Sequence, residues 1–211
     1  MNGLAVLGGS QIAGGGGPGI GKLFAYSGQD GLPDSASELW AWGSATPTSG
    51  PSVGSLGVYA GVRTGTDELQ VVRVDKSSGA LLAQSSALPG SSFSLNGVPT
   101  PALGEGGRLY AVDEAGGLFV LPQNFSTSAN ATWAVALPAA LTSPVVASPA
   151  LDCNRRRSNS ESGVIYIATE NGWLVSYIVD SKGLDPMAPW PKYARDARNT
   201  GNFNGPAIGC P

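Results

Sequence analysis

The chain has 211 residues, of which 42% are hydrophobic and 13% charged, and its formal net charge is −3. This length suffices for one domain with a substantial core, and without a broad positive field we expect no nucleic-acid partner. Histidine is absent, which excludes serine–histidine, cysteine–histidine and histidine–zinc chemistry. The 31 glycines and 16 prolines favour an all-β protein with many turns.

The first apolar stretch, NGLAVLGG at residues 2–9, has no cationic flank and is too short and glycine-rich to cross a membrane. Further strand-like runs follow at 21–31 and 38–42, and together these segments resemble a repeat unit whose beginning is missing. We therefore expect that, if the protein is exported, its signal sequence precedes residue 1 and the chain is a fragment.

An internal repeat is visible further along the chain. GRLYAVDEAGGL at 107–118 and GVIYIATENGWL at 163–174 align without a gap at a constant offset of 56 residues. Each is preceded by a second matched element, PTPAL at 99–103 and ASPAL at 147–151. A weaker copy occupies residues 50–82. Repeats of this length indicate stacked units of one supersecondary structure.

Each unit contains apolar runs of four to eight residues bounded by turn residues, which predicts strands joined by hairpins. DEAGG at 113–117 and TENGW at 169–173 place a glycine where a tight hairpin requires a positive φ, and DKSSG at 75–79 turns into the next strand. Four strands in each unit of about fifty residues predict the blades of a β-propeller, here a single domain over residues 1–211. The predicted units are 1–45, 46–90, 91–140 and 141–211.

The pattern of these units, small-Pro-Ala-Leu, Gly-x-Leu-Tyr and Asp-x-x-x-Gly-x-Leu, resembles the repeat of the pyrroloquinoline-quinone-like β-propellers, the quinoprotein alcohol dehydrogenase-like family. The segment WPKYARDARNTGN at 190–202 is similar to an element of many bacterial members. The resemblance implies a ring of seven or eight blades, so we expect the chain to be the C-terminal part of a larger ring. A small ring, closed alone or by oligomerisation, is the alternative.

The same resemblance allows two functions, because the family contains quinone-dependent dehydrogenases as well as protein-binding scaffolds. Its dehydrogenases hold the quinone with a calcium ion, a catalytic aspartate, a stacking tryptophan and commonly a disulfide between adjacent cysteines. This chain has no adjacent cysteines, and we interpret Trp173 as a packing residue between sheets. We therefore predict no enzyme activity, no cofactor and no metal site.

The two cysteines, Cys153 and Cys210, are too few for a thiolate metal site. They form either a disulfide or two free buried thiols. Scarce lysine and abundant small polar residues favour an exported protein with the disulfide, in the periplasm, on the outer membrane surface or outside the cell. Closing this loop would stabilise the fold by roughly 4 kcal/mol.

Two groups of arginines are candidate partner-binding residues. The first group is Arg155, Arg156 and Arg157, which form either a solvated loop or a docking patch for an acidic partner. The second group, Arg195 and Arg198, lies in the segment 188–202, which we interpret as a clasp that ends the propeller. Pro189 and Pro191 in this segment predict an edge without further ladder bonds.

From the sequence we therefore expect a non-catalytic, exported bacterial β-propeller that serves as a protein-binding or scaffolding module. Further blades from a preceding segment or from another chain are expected partners. A fragment of a quinone-dependent oxidoreductase is one alternative. A carbohydrate- or surface-binding module that uses Trp40, Trp42 or Trp133 is the other.

Overall fold

The computed structural model describes residues 3–11, 20–28, 38–44, 48–88, 98–138, 144–145, 147–153 and 162–193. These residues are all-β, without a helix, and their strands form four antiparallel sheets. The first sheet contains β1 (Gly3–Gln11), β2 (Ile20–Gly28) and β3 (Glu38–Ser44). The second contains β4 (Ser52–Val53), β5 (Val58–Arg63), β6 (Leu69–Val74) and β7 (Leu81–Gln84). The third contains β8 (Ala102–Gly104), β9 (Arg108–Val112), β10 (Leu118–Pro122) and β11 (Trp133–Val135), and the fourth contains β12 (Ala150–Cys153), β13 (Gly163–Ala168) and β14 (Leu174–Val179).

Every sheet is a meander, because its strands lie side by side in the order of the sequence. The second and third sheets have four strands each, and the first and fourth have three. No helix in the described ranges has the length and hydrophobicity needed to cross a membrane.

Glycines with positive φ form the hairpin turns between strands, as the sequence predicts. Gly79 has a φ of 70°, Gly116 of 84° and Gly172 of 88°. An acidic side chain supports two of these turns: the Asp75 carboxylate accepts hydrogen bonds from two backbone N–H groups, and Asp113 accepts one from Gly117. These turns set the register of the strands that follow.

The four sheets pack face to face in chain order, and three hydrophobic clusters fill the junctions between them. We call the face of a sheet directed toward the next sheet its leading face, and the face directed toward the preceding sheet its trailing face. The first junction joins the leading face of the first sheet, with Leu23 and Trp40, to the trailing face of the second, with Val58 and Val72.

The second and third sheets are therefore buried on both faces. The second junction contains Tyr59, Leu69, Val71, Leu103, Leu109 and Phe119. The third junction contains Tyr110, Val112, Leu118, Leu151, Ile165 and Ile167. Strands that are apolar on both faces fit this position because neither face meets water.

The segment after β14 runs back along the edge strands β8 and β4 of the third and second sheets. Leu103 of β8 accepts a backbone hydrogen bond from Asp185 and donates one to the carbonyl of Pro191. Val53 of β4 and Trp190 exchange two backbone hydrogen bonds of 2.7 and 3.1 Å. The prediction of an edge without ladder bonds is therefore wrong at Trp190, whose own N–H is free to donate although prolines flank it.

Candidate interaction surface

The leading face of the fourth sheet is an apolar surface that no described part of the chain covers. In β13 and β14, burial alternates along the strands, so that one set of side chains enters the third junction and the other set points outward. The outward set comprises Val164, Tyr166, Ala168, Leu174, Ser176 and Ile178. Leu174 is 66% exposed and Ile178 is 74% exposed.

The same repeat positions are buried one sheet earlier. Leu118 lies 56 residues before Leu174 and is 0% exposed, because the fourth sheet covers it. Tyr110 has the same relation to Tyr166: it is fully buried in the third junction, whereas Tyr166 is half-buried. The leading face of the fourth sheet thus has the side chains of a junction, and none of the described sheets packs against it.

The buried tyrosines also show how a junction is closed by hydrogen bonds. The Tyr59 hydroxyl crosses the second junction and donates to the Gln123 carbonyl at 2.9 Å. The Tyr110 hydroxyl crosses the third junction and lies 2.7 Å from the Ser181 hydroxyl and 3.1 Å from an Asp180 carboxylate oxygen. In both cases the acceptors follow the third strand of the next sheet.

Burial keeps these hydroxyl groups neutral. Desolvation raises the pKa of Tyr59 to about 12, although the nearby Arg73 opposes the shift. Desolvation also raises the pKa of Tyr110, and the Ser181 hydroxyl opposes that shift. Both tyrosines are therefore proton donors at neutral pH and act in packing and not as bases.

Gln123 connects the third sheet to the C-terminal segment. Its side-chain amide lies 3.1 Å from the Gly104 carbonyl, 3.2 Å from the Arg108 carbonyl and 3.1 Å from the Asp185 carboxylate. Its own backbone carbonyl accepts from the Arg73 guanidinium at 3.3 Å as well as from Tyr59. This buried network fixes the second and third sheets against the C-terminal segment.

The trailing face of the first sheet is the corresponding surface at the other end of the stack. Leu39 is 53% exposed there, and Phe24 and Tyr26 are half-buried, with stacked rings 6.2 Å apart. The Lys22 ammonium lies 5.9 Å from the centre of the Phe24 ring. This face is therefore apolar and aromatic, with Lys22 at its margin and the exposed Glu38 opposite Tyr26.

The residues that the sequence singles out as sites fall almost entirely outside the described ranges. Cys153 ends β12, but Cys210 lies outside the described residues, so the disulfide stays a prediction. The arginines proposed for partner binding also lie outside these residues: Arg155, Arg156, Arg157, Arg195 and Arg198. Sequence reasoning missed the leading face of the fourth sheet, although apolar residues on both faces of β13 and β14 are a signal for it.

Two tryptophans, Trp40 and Trp173, do not have the roles that the sequence predicted for them. Trp40 is buried in the first junction, where its indole N–H donates to the Lys76 carbonyl at 2.9 Å, so it cannot serve as an exposed sugar platform. Trp173 is 51% exposed at a hairpin, so its assignment as a packing residue between sheets is wrong. Trp133 is exposed on β11. Over the ranges that the structure describes, no three metal-binding side chains of Cys, Asp or Glu come together.

No protein-family model matches the chain, and no curated protein matches its sequence. The family resemblance of the repeat therefore stays a prediction.

Proposed function

We propose that this protein is a non-catalytic β-propeller module of the pyrroloquinoline-quinone-like type that binds a protein partner. The observation that carries the proposal is the leading face of the fourth sheet, which no described part of the chain covers. Its side chains at Tyr166, Leu174 and Ile178 are those of an inter-sheet junction, yet they face solvent.

The chemistry of this face specifies the kind of partner. A contiguous apolar patch on a sheet face gains free energy when it leaves water, at about 25 cal/mol for each Å² buried. Large exposed apolar patches mark interaction sites on soluble proteins. A partner with a matching apolar surface is therefore favoured over an ionic ligand, a nucleic acid or a small polar substrate.

Support for the propeller comes from the stack itself. Successive meander sheets pack face to face in chain order, each buried by its neighbours. This arrangement is the one in which propeller blades are built. Export and the Cys153–Cys210 disulfide belong to the same proposal, and they rest on composition alone.

Site-specific photocrosslinking tests the binding function directly. A photoreactive phenylalanine analogue replaces Ile178 on the leading face of the fourth sheet, and in a matched control it replaces Leu56, which is exposed on the β4–β5 turn. We expect a discrete crosslinked product in cells from the Ile178 position and not from the Leu56 position. Absence of a product at Ile178, or the same products at both positions, would overturn the proposal.

A second experiment separates the module from a quinone enzyme. Pyrroloquinoline quinone and Ca²⁺ are added to the purified protein, and the absorbance, the melting temperature and the reduction of an electron-accepting dye are followed. We expect no saturable change. Saturable binding together with dye reduction would establish the oxidoreductase alternative.

The disulfide is tested by intact mass after alkylation, with and without reductant. We expect the unreduced protein to resist alkylation at Cys153 and Cys210. Alkylation of both thiols without reductant would contradict the disulfide and weaken the argument for export.

A further inference from the structure

We propose that the segment from Ser181 to Pro191, which we call the strap, opens and closes as one piece over the edge strands β8 and β4. The strap begins beside the fourth sheet, pairs with the third and ends on the second. Its opening therefore uncovers backbone groups of two sheets together and couples the fourth sheet to the second. This inference concerns a moving part of the fold and does not depend on the proposed binding function.

The backbone bonds of the strap are interlocked at Leu103. The Leu103 carbonyl accepts a hydrogen bond from the Asp185 N–H at 2.9 Å, and the Leu103 N–H donates to the Pro191 carbonyl at 2.7 Å. Two separate points of the strap thus meet one residue of β8. Trp190, next to Pro191, exchanges backbone bonds with Val53 of β4. Release of the strap at one of these points therefore loosens its hold at the others.

Two buried side chains anchor the strap in different junctions. Leu184 is 3% exposed in the third junction, and Ala188 is 2% exposed in the second. The residues between them form a turn, in which the Ala188 N–H donates to the Asp185 carbonyl at 3.1 Å and Met187 is exposed. Because a hydrogen-bonded turn joins the two anchors, displacement of one is transmitted to the other.

The beginning of the strap lies directly on glycines of the third and fourth sheets. A Cβ on Gly104 would lie 2.5 Å from the Ser181 hydroxyl oxygen, and a Cβ on Gly163 would overlap the Ser181 carbonyl oxygen. The Ser181 hydroxyl donates to the Glu105 carbonyl at 2.8 Å and accepts from the Tyr110 hydroxyl at 2.7 Å. This end of the strap is therefore packed against both sheets.

The strap is held less firmly than the strands beneath it. Its pairing with β8 and β4 consists of isolated bridges and not of a continuous ladder, and Pro186, Pro189 and Pro191 have no N–H to donate. An element with few backbone bonds and an exposed turn opens at a lower free-energy cost than core strands. An unpaired strand edge is a template for the addition of another strand. The strap is therefore a cover for the edges of two sheets.

Backbone hydrogen exchange of the whole chain, measured by NMR, tests for the opening. The reporters are the N–H groups of Glu105, Leu103 and Val53, each of which donates to a carbonyl of the strap. We expect their equilibrium constants for opening to agree within about threefold and to exceed that of the buried Val71 N–H in β6 at least about 10-fold. The same constant at all four groups would mean that the strap opens only when the whole protein unfolds, and would overturn the inference.

Ser181→Ala tests whether the strap opens as one piece. It leaves the Glu105 carbonyl without the hydroxyl that donates to it, so the opening constant at the Glu105 N–H should rise about fivefold or more. An equal rise is expected at Val53, at the opposite end of the strap. A rise at Glu105 alone would show that the strap opens in parts, which contradicts the inference. Ser86→Ala is the matched control, because it removes a hydroxyl that links the second and third sheets away from the strap, and it should change the constant at Val53 less than about twofold.

An insertion separates coupling through the strap from coupling through the stacked sheets. Gly-Ser-Gly is placed between Pro186 and Met187, in the exposed turn, where added residues are tolerated. In this background Ser181→Ala should still raise the opening constant at Glu105 about fivefold, but should change that at Val53 less than about twofold. An undiminished rise at Val53 would show that the effect travels through the sheets, and the strap would lose the proposed role. Circular dichroism of each variant shows that its sheets remain folded.

Discussion

Leu118 and Leu174 occupy the same position of the repeat, and they provide the sharpest test of the stacked arrangement. Each begins the third strand of its sheet, on the leading face. Leu118 is fully buried by the fourth sheet, whereas Leu174 is 66% exposed. Replacing each by alanine removes the same atoms from two environments that differ only in whether a next sheet is present.

The expected costs follow from burial. Leu118→Ala should lower the free energy of unfolding by about 2–5 kcal/mol, because it removes a packed side chain and leaves a cavity. Only about a third of the Leu174 side chain is removed from water, so Leu174→Ala should cost at most about 1 kcal/mol in the single chain. In a chain of 211 residues, 1 kcal/mol corresponds to about 2–4 °C in melting temperature.

Urea and thermal unfolding followed by tryptophan fluorescence measure both variants. The two costs should differ by at least about 2 kcal/mol. Equal costs would refute the claim that no described sheet covers the leading face of the fourth sheet.

Three further outcomes are expected. Gly172→Ala should lower the free energy of unfolding by about 1 kcal/mol, because of its positive φ alone. Gly116→Ala should lower it by about 3 kcal/mol, because the new Cβ also meets Leu137. Similar melting temperatures of the two variants would contradict this difference. The folded-state pKa of Tyr59, about 12, exceeds its unfolded value, so the parent protein should lose stability between pH 10 and pH 12 as the hydroxyl ionises in the unfolded chain. Tyr59→Phe has no such hydroxyl and should lose less stability over this range. If urea unfolding gave the same pH dependence for both proteins, the result would oppose this expectation. Hydrogen bonds, first of all from the Ser77 hydroxyl, lower the pKa of Asp75 to about 2. The parent protein should therefore lose stability as the pH falls from about 4 to 2, and Asp75→Ala should lose less. An identical dependence of the two melting temperatures on acid pH would count against this expectation.

The sequence was sufficient to predict the all-β class and the hairpin turns. Gly116 and Gly172 adopt the positive φ that their hairpins were expected to require, and Gly79 in the 75–79 turn does so as well. This prediction succeeds because the left-handed conformation excludes most side chains for local reasons, so a glycine in a short polar turn between two apolar runs is informative without knowledge of the rest of the chain.

Burial at the sheet faces could not be predicted in the same way. Tyr110 and Tyr166 lie in closely matched local sequences, yet one is sealed in a junction and the other is half-buried. The difference depends on whether another sheet follows, which no local pattern specifies. Trp173 was misassigned because its place in the repeat suggested packing, whereas it lies in the hairpin between β13 and β14 and is 51% exposed.

The leading face of the fourth sheet is apolar, although it ends the stack of described sheets. A stack of repeats that ends in water normally has a capping repeat with a polar outer face, because nothing else covers the last unit. Here the fourth sheet keeps Leu174 and Ile178 on that face, and Ser176 is the polar residue between them on the same strand. Polar side chains would satisfy the strand geometry equally well if the face remained in water. The apolar residues are explained when another sheet lies against them, which is why this surface, and not the arginine clusters, is the first place to search for the partner.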